Sequence, residues 1–545
     1  MPGTLGLALS VLVWLTPPAV VPLPSRTGAE GPPRPFGVAP ALGSVLPPSG
    51  RRPVAAQNRA LLEGPFPSGG MKRGVSEGAL LLDEDAPIRE LAMRRIRETG
   101  ATVVRIPVDW SASVAPDPSP GFDASDPASP DYNFKPIDAA VLDAVSAGLT
   151  PLLVVSHAPG FAEAPNRWPY AFAGSWDPSP TALAEFAVAL ARRYDGSFPD
   201  SQAPGGALPR VTLFQAWNEP NLARYLEPQW VAVRGRWSAF SPLLYRELLN
   251  GFYAGVKSVQ PTATVLAAGV APNGDPEGVG RMAPVRFLRA MLCLPEAGER
   301  DTARAGSVCT DPPHFDVLDF HPLSNGNPDV PAPSSLEVSI SDAAKITGLL
   351  KQAERLHTAL PDGGKPVWAT ELNWESAPQA QGGVPPDQQA HTISRALHRL
   401  WIAGVSVVAW QFLVDPFPGA VAETPTGGVV EYQRPAGLYS AGVDGNLESA
   451  QPKPFLQGFT FPFDPLRVDS RHVRVWALLM KPRQSVLLQR QLRTGGAWRT
   501  IARLRGARDG VLNALVSLRG SARLRLQSSA LISAVETVGI RRSQL

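Results

Sequence analysis

Short apolar, β-branched runs alternate along the middle of the chain with stretches whose apolar residues recur every three to four positions. The runs are Thr102–Ile106, Leu152–Val155, Val211–Phe214, Thr264–Ala267, Phe315–Phe320, Pro366–Ala369 and Val405–Trp410, with a more ambiguous one at Gly74–Leu82. Between them Ile88, Leu91, Ala92 and Ile96 lead to Gly100, and Ile137, Val141 and Val145 lead to Gly148. Leu183, Phe186 and Leu190 repeat the spacing, as do Tyr245, Leu248 and Phe252, then Ile346, Leu349 and Ala353, then Ile393, Leu397 and Leu400 before Gly404. This period predicts helices with one buried face, several stopped by glycine. Strands that read as continuous apolar runs are buried on both sides, as a parallel sheet flanked by helices demands. Eight of them, from Met71 to Ser440, predict an α/β fold, a closed (β/α)8 TIM barrel. The competing architecture is an open doubly wound sheet. It would carry a Gly-rich phosphate turn after its first strand, and none is present.

Beyond Phe463 the period falls to two. Arg471–Trp476, Ser485–Arg490, Trp498–Ala502 and Ala522–Leu526 alternate apolar residues with Arg or other polar groups, separated by turns such as Thr494–Gly496. That pattern predicts a small antiparallel β-sandwich with one wet face. At the other end, Leu5–Leu15 is too short for a membrane span and is broken by Pro17 and Pro18. It reads as the core of a secretory signal, so the chain is expected to be exported. The Pro-, Gly- and Ser-rich stretch that follows cannot bury enough apolar surface to order itself. The expected division is a signal peptide over 1–29, a Pro-rich disordered linker over 30–70, the catalytic barrel over 71–463 and a basic sandwich over 464–545.

Composition adds one asymmetry. The 545 residues carry a net charge of only +3, yet Pro465 to Leu545 holds 16 Lys/Arg against 3 Asp/Glu. A solvated sheet face is the plain reading of those arginines. Contact with a cell surface or an acidic polysaccharide is the functional one, and no nucleic-acid-binding motif is present. The seven histidines and two cysteines form no zinc-binding pattern. In an exported protein Cys293 and Cys309 are expected to pair.

Reactive side chains of a parallel barrel gather at the carboxyl ends of its strands. The runs close on Arg105 with Asp109 and Trp110, on His157, on Trp217-Asn218-Glu219-Pro220-Asn221, on Asn273 and on His321. The last two close on Glu371, with Asn373 and Trp374, and on Trp410-Gln411. Strand interiors read as apolar. Glu219 and Glu371 end the fourth and seventh strands, which face each other across a barrel mouth. Acetal cleavage needs such a pair, one carboxyl to protonate the leaving oxygen and one to meet the anomeric carbon. Trp217, Trp374 and Trp410 would offer flat faces to a sugar.

Phe214-Gln-Ala-Trp-Asn-Glu-Pro-Asn221 followed by Ala369-Thr-Glu-Leu-Asn373 resembles the signatures of the retaining glycoside hydrolases of clan A. These are the double-glutamate barrels that include cellulase-like family five and β-xylosidase-like families. The resemblance covers about Met71 to Phe463 and implies a carbohydrate substrate and no metal or organic cofactor. It implies Glu219 as acid/base, Glu371 as nucleophile and Asn218 on the sugar 2-hydroxyl. It also implies Arg105 as the arginine that keeps the nucleophile ionised, His157 and His321 as third- and sixth-strand histidines, and Trp410 as the tryptophan under the reacting sugar. One departure is Leu323, where many relatives carry tyrosine or histidine. A raised Glu219 pKa is expected from the negative charge of Glu371.

Two other readings compete. A non-catalytic glycan-binding barrel would use the same strand ends. Gly74-Val-Ser-Glu-Gly78 matches the nucleophile elbow of serine hydrolases, but it lacks the strand before and helix after that the elbow requires.

Overall fold

The computed structural model describes residues 61–63, 66–201, 203, 205–295, 309–323, 326–416, 421–423, 429–431 and 434–539. The expected signal peptide and most of the expected linker lie outside the described residues. Within that linker, however, Leu61 and Leu62 are buried, and Phe66 stacks on Trp401 at 6.2 Å. These residues are part of the packed molecule, because their apolar side chains find a partner surface that composition alone did not reveal.

Eight parallel strands close the barrel. They are β1 (Lys72–Ser76), β2 (Val103–Asp109), β3 (Thr150–Ser156), β4 (Leu213–Ala216), β7 (Thr264–Val270), β8 (Val317–Phe320), β9 (Val367–Leu372) and β10 (Val405–Gln411), with β10 pairing back onto β1. A hairpin of β5 (Trp230–Val233) and β6 (Arg236–Ala239) is inserted after β4. The helices on the outside are α1 (Ala86–Glu98), α2 (Lys135–Ser146), α3 (Pro180–Arg193), α4 (Ser241–Val259), α5 (Pro284–Met291), α6 (Ala343–Arg355) and α7 (Pro386–Ile402). Gly100, Gly148 and Gly404, where the apolar period stops, take positive φ just past helix ends. The ambiguous run Gly74–Leu82 splits: its first part completes β1, and Ala79–Leu81 forms one 3-10 turn.

The barrel interior is layered by strand parity. Val103, Leu152, Leu266 and Val317, with Leu213 and Trp368 against them, form an apolar plug at the amino ends of the strands. Two residues further along four of these strands, β2, β4, β8 and β9, the positions are Arg105, Gln215, Asp319 and Thr370. The expectation of apolar strand interiors is thus corrected. Only the lower interior layer and the outward layer against the helices are apolar.

After a hairpin of β11 (Val421–Glu423) and β12 (Val429–Glu431), helix α8 (Pro454–Thr460) leads into the second unit. Its strands are β13 (Phe463–Arg467), β14 (His472–Leu478), β15 (Ser485–Leu492), β16 (Gly495–Arg505), β17 (Val511–Ser517), β18 (Ala522–Gln527) and β19 (Glu536–Val538). They form two antiparallel sheets, ordered β13-β14-β17 and β16-β15-β18-β19, around a core that includes Phe463, Val475, Leu488, Leu512 and Leu524. This is the predicted sandwich. A disulfide joins Cys293, past the end of α5, to Cys309 before β8.

Candidate active site

The layer above the apolar plug carries the chemistry. Arg105, in mid-strand on β2, is its hub. Its guanidinium donates to Glu371 Oε1 at 2.6 Å, to Asn218 Oδ1 at 2.5 Å, to Gln215 Oε1 at 2.9 Å and to the Ser76 hydroxyl at 3.2 Å. Gln215 passes the contact on, donating to Asp319 Oδ2 at 3.1 Å. Asp319 also accepts from the Thr370 backbone N–H at 3.0 Å and from its hydroxyl. Each polar group is buried, so each needs these partners to offset its lost hydration.

Glu371 owes its direction to a bulge. β9 carries one extra residue between Ala369 and Leu372 against β10, where Val408 and Trp410 are the partners. The bulge lets Thr370 and Glu371 both reach the barrel interior, although strict alternation would send one outward. The second Glu371 oxygen accepts from Gln411 Nε2 at 2.7 Å, and Asn373 in turn holds Gln411 Oε1 at 3.0 Å. Two donors on opposite oxygens keep this carboxylate oriented across the barrel mouth.

Glu219 lies three residues beyond β4, with φ of 41°. It is fully buried, and one oxygen meets His321 Nδ1 at 2.9 Å. The other, Oε2, has no hydrogen-bond partner among the described residues. Glu219, His321 and Glu371 each place one polar atom within 4.8 Å of the other two. The Glu219 pKa is raised. Burial is the main cause, opposed by His321 and Arg105 and assisted by the charge of Glu371. The direction agrees with the expectation, but the chief cause is lost hydration rather than Glu371.

His321 stands beside Arg105 as a second basic group of the site. Burial works against its charge, but Glu371, Asp319 and Glu219 outweigh that and push its pKa up to about 10. Nε2 faces the Thr370 hydroxyl at 3.2 Å and Asp319 at 3.7 Å, while Nδ1 lies 3.7 Å from Glu371. The three residues have the spacing of a metal site, but their chemistry does not fit one. Both Glu371 oxygens already accept, from Arg105 and from Gln411, and His321 Nδ1 already meets Glu219.

The expected residues divide into three groups. Glu219, Glu371, Asn218, Arg105 and His321 converge in one hydrogen-bonded cluster. His157 stands to one side, 14% exposed, 3.5 Å from Asp109 and beside the Tyr225 ring at 5.3 Å. Asp109, named at the end of the second run, is part of this more open pair. The tryptophans are a correction. Trp217, Trp374 and Trp410 are 2% exposed or less, and their indole N–H groups donate to the carbonyls of Tyr225, Gly326 and Ala436. Trp410 points outward and packs on Phe455 of α8 at 5.0 Å. Parity gives the reason: adjacent strand residues face opposite ways, so Gln411, not Trp410, faces the site. Ser76 of the possible elbow ends β1, and its hydroxyl accepts from Arg105. Gln215, Asp319 and Thr370 were missed, and Gln411, read at the end of its strand, was given no role. The available signal was a polar residue two positions after an inward apolar one on a buried strand.

No protein-family model matches the chain, and neither does any curated protein. Among solved structures, a family 39 glycoside hydrolase from Bacteroides cellulosilyticus WH2 is 18% identical with a TM-score of 0.47, covering 83% of this chain and 79% of its own. A family 39 β-xylosidase from Caulobacter crescentus is 13% identical with a TM-score of 0.44, covering 78% and 83%. A family 30 subfamily 8 xylanase from Clostridium acetobutylicum is 12% identical with a TM-score of 0.40, covering 83% and 95%. Matches this distant say nothing about activity, which must be read from the site.

Proposed function

We propose that the chain is a retaining glycoside hydrolase that cleaves O-glycosidic bonds of an oligo- or polysaccharide by double displacement. The observation that carries this is the carboxylate pair. Glu219 and Glu371, at the carboxyl ends of facing strands, each bring one carboxylate oxygen within 4.8 Å of the other. Carboxyl groups about 5 to 5.5 Å apart favour direct attack and retention, whereas about 6.5 to 9.5 Å leaves room for water and gives inversion.

The surroundings support distinct roles. Glu371, held by Arg105 and Gln411, is the nucleophile. Its oxygen bonds to the anomeric carbon as the bond to the leaving oxygen breaks. Glu219, with its raised pKa and unpartnered Oε2, gives its proton to that leaving oxygen. In the second step Glu219 takes a proton from water, whose oxygen displaces Glu371 from the sugar. Arg105 fixes the Asn218 oxygen, so the Asn218 amide N–H remains to donate to a sugar hydroxyl. The Cys293–Cys309 disulfide supports a place outside the cytoplasm, in the medium or the cell envelope.

Incubation with a panel of 2-deoxy-2-fluoro glycosides, followed by peptide mapping, tests the reading. The expected label is on Glu371, and Glu371→Gln should lose roughly 1,000-fold or more of turnover. A label elsewhere, or full activity in Glu371→Gln, would overturn the assignment. Glycan binding without turnover by the wild type would establish a binding barrel instead.

A further inference from the structure

The register of the sandwich decides where its arginines stand. On β15 and β18 the buried residues Val486, Leu488, Ala522, Leu524 and Leu526 face the sandwich core. Alternate positions therefore face outward. They include Arg523 and Arg525 on β18, and Gln489 and Gln491 opposite them on β15. Arg503 and Arg505 on β16 pair with outward positions 487 and 485 of β15. The Arg525 guanidinium lies over the Trp498 ring at 4.2 Å, which places that ring on the same face.

This face offers donors almost exclusively. Gln489 Oε1 accepts from Arg525 at 2.8 Å, and Gln491 Oε1 accepts from Arg523 at 2.9 Å. Each glutamine has used its acceptor; Gln489 keeps its amide N–H groups to give, and Gln491, which donates one N–H to the Gly496 carbonyl at 2.6 Å, keeps the other. The acids of this region are engaged elsewhere: Asp469 with His472, Glu536 with His391, and Asp509 with the Val511 backbone. The face is also turned away from the barrel. The other sheet meets the barrel, with Trp476 of β14 stacked on His398 of α7 at 4.6 Å.

We propose that this outer face of β16-β15-β18 binds an acidic polysaccharide. Its carboxylates or sulfates meet the four guanidiniums, its hydroxyls meet the Gln489 and Gln491 amides, and one sugar packs against Trp498. Edge protection explains arginines on β16, since charge on an edge strand deters pairing with another sheet. It does not explain Arg523 and Arg525, which lie on the inner strand β18. A duplex groove admits a helix or a two-stranded ribbon, and this sheet is wider. A bilayer needs an apolar face to insert, and here Trp498 and Leu487 stand among arginines and glutamines.

Affinity electrophoresis of the full chain in gels containing polygalacturonate, with amylose as the neutral control, tests this. Glu371→Gln serves as the parent, so that the polymer is not cut during the run. Polygalacturonate should retard the chain and amylose should not. Replacing Arg503, Arg505, Arg523 and Arg525 by Gln should weaken retention roughly tenfold or more. Arg508→Gln with Arg519→Gln, which removes charge from turns instead, should not. Trp498→Ala should weaken retention even where added salt has screened part of the charge attraction. Absence of retardation, or equal loss in the turn control, would overturn the proposal. So would stronger binding to duplex DNA or phosphatidylserine vesicles that Trp498→Ala leaves unchanged.

Discussion

At the scale of single residues, the site works by placing two carboxylates in unlike surroundings within one polar layer. Glu371 is gripped by two donors, while Glu219 is fully buried with one oxygen unpartnered. His321 balances both, and Asp319 stands behind its other nitrogen. Asp319 should thus act through His321. In Asp319→Asn the ring loses one of the groups that raise its pKa. The expected outcome is a His321 titration moved down from about 10, read by nitrogen NMR of the ring. An unmoved titration would show that Asp319 only holds Thr370 and Gln215. Sequence reasoning reached Glu219, Glu371, Asn218 and His321 because a polar group at the end of an apolar strand is conspicuous, and Arg105 because its charge closes the apolar run that begins at Thr102. It missed Asp319 and Gln215 because a single polar residue inside such a run resembles noise until the register shows which interior layer it joins.

At the scale of elements, two irregular strands aim the site. β9 turns Glu371 inward through its bulge, and β7 breaks its register with β8 between Ala268 and Val270. At that break Gly269 has φ of 61°, and a Cβ there would lie 2.5 Å from Gln215 Nε2 and 3.1 Å from both Asp319 and His321. Gly269→Ala should therefore push the polar layer apart. We expect roughly a hundredfold loss of kcat/KM, checked on a fluorogenic glycoside with circular dichroism as the control for folding. Unchanged kinetics would mean that the layer tolerates displacement. Trp410 makes the opposite case. Its ring belongs to the packing between barrel and α8, so Trp410→Phe should cost about 1 to 3 kcal/mol in stability with little change in KM. A raised KM at unchanged stability would return it to the sugar-binding surface. Runs of apolar residues revealed where strands lie, but not their bulges. A one-residue insertion reverses every later side chain and leaves no mark in composition.

At the scale of the molecule, the barrel and sandwich share a buried ionic joint. Asp464, at the start of the sandwich, is 1% exposed and accepts from His398 Nδ1 at 2.7 Å, with Arg395 Nη1 at 3.2 Å. Both partners lie on α7, which precedes the strand bearing Gln411, and Arg399 of the same helix pairs with Asp329 beyond β8. The sandwich thus grips the helix between the two strands that carry Glu371 and Gln411. Burial would raise the Asp464 pKa, but the Arg395 charge and the His398 hydrogen bond outweigh it and hold the carboxyl well below its usual range. A depressed acid pKa stabilises the fold above the unfolded value of about 3.9 and loses that contribution as pH falls towards the folded value. Burial keeps His398 neutral, which adds stability that is lost as pH falls below about 6.5. Asp464→Asn should leave Arg395, 12% exposed, with only the more distant Asp329 carboxylate at 3.8 Å, and cost about 3 kcal/mol at pH 7. Urea denaturation of the two proteins should show that difference at pH 7 and a narrowing gap below about pH 4. If Asp464→Asn unfolds at the same urea concentration as the wild type, the joint contributes nothing. If instead the variant melts in two steps where the wild type melts in one, the joint is what makes barrel and sandwich a single cooperative unit.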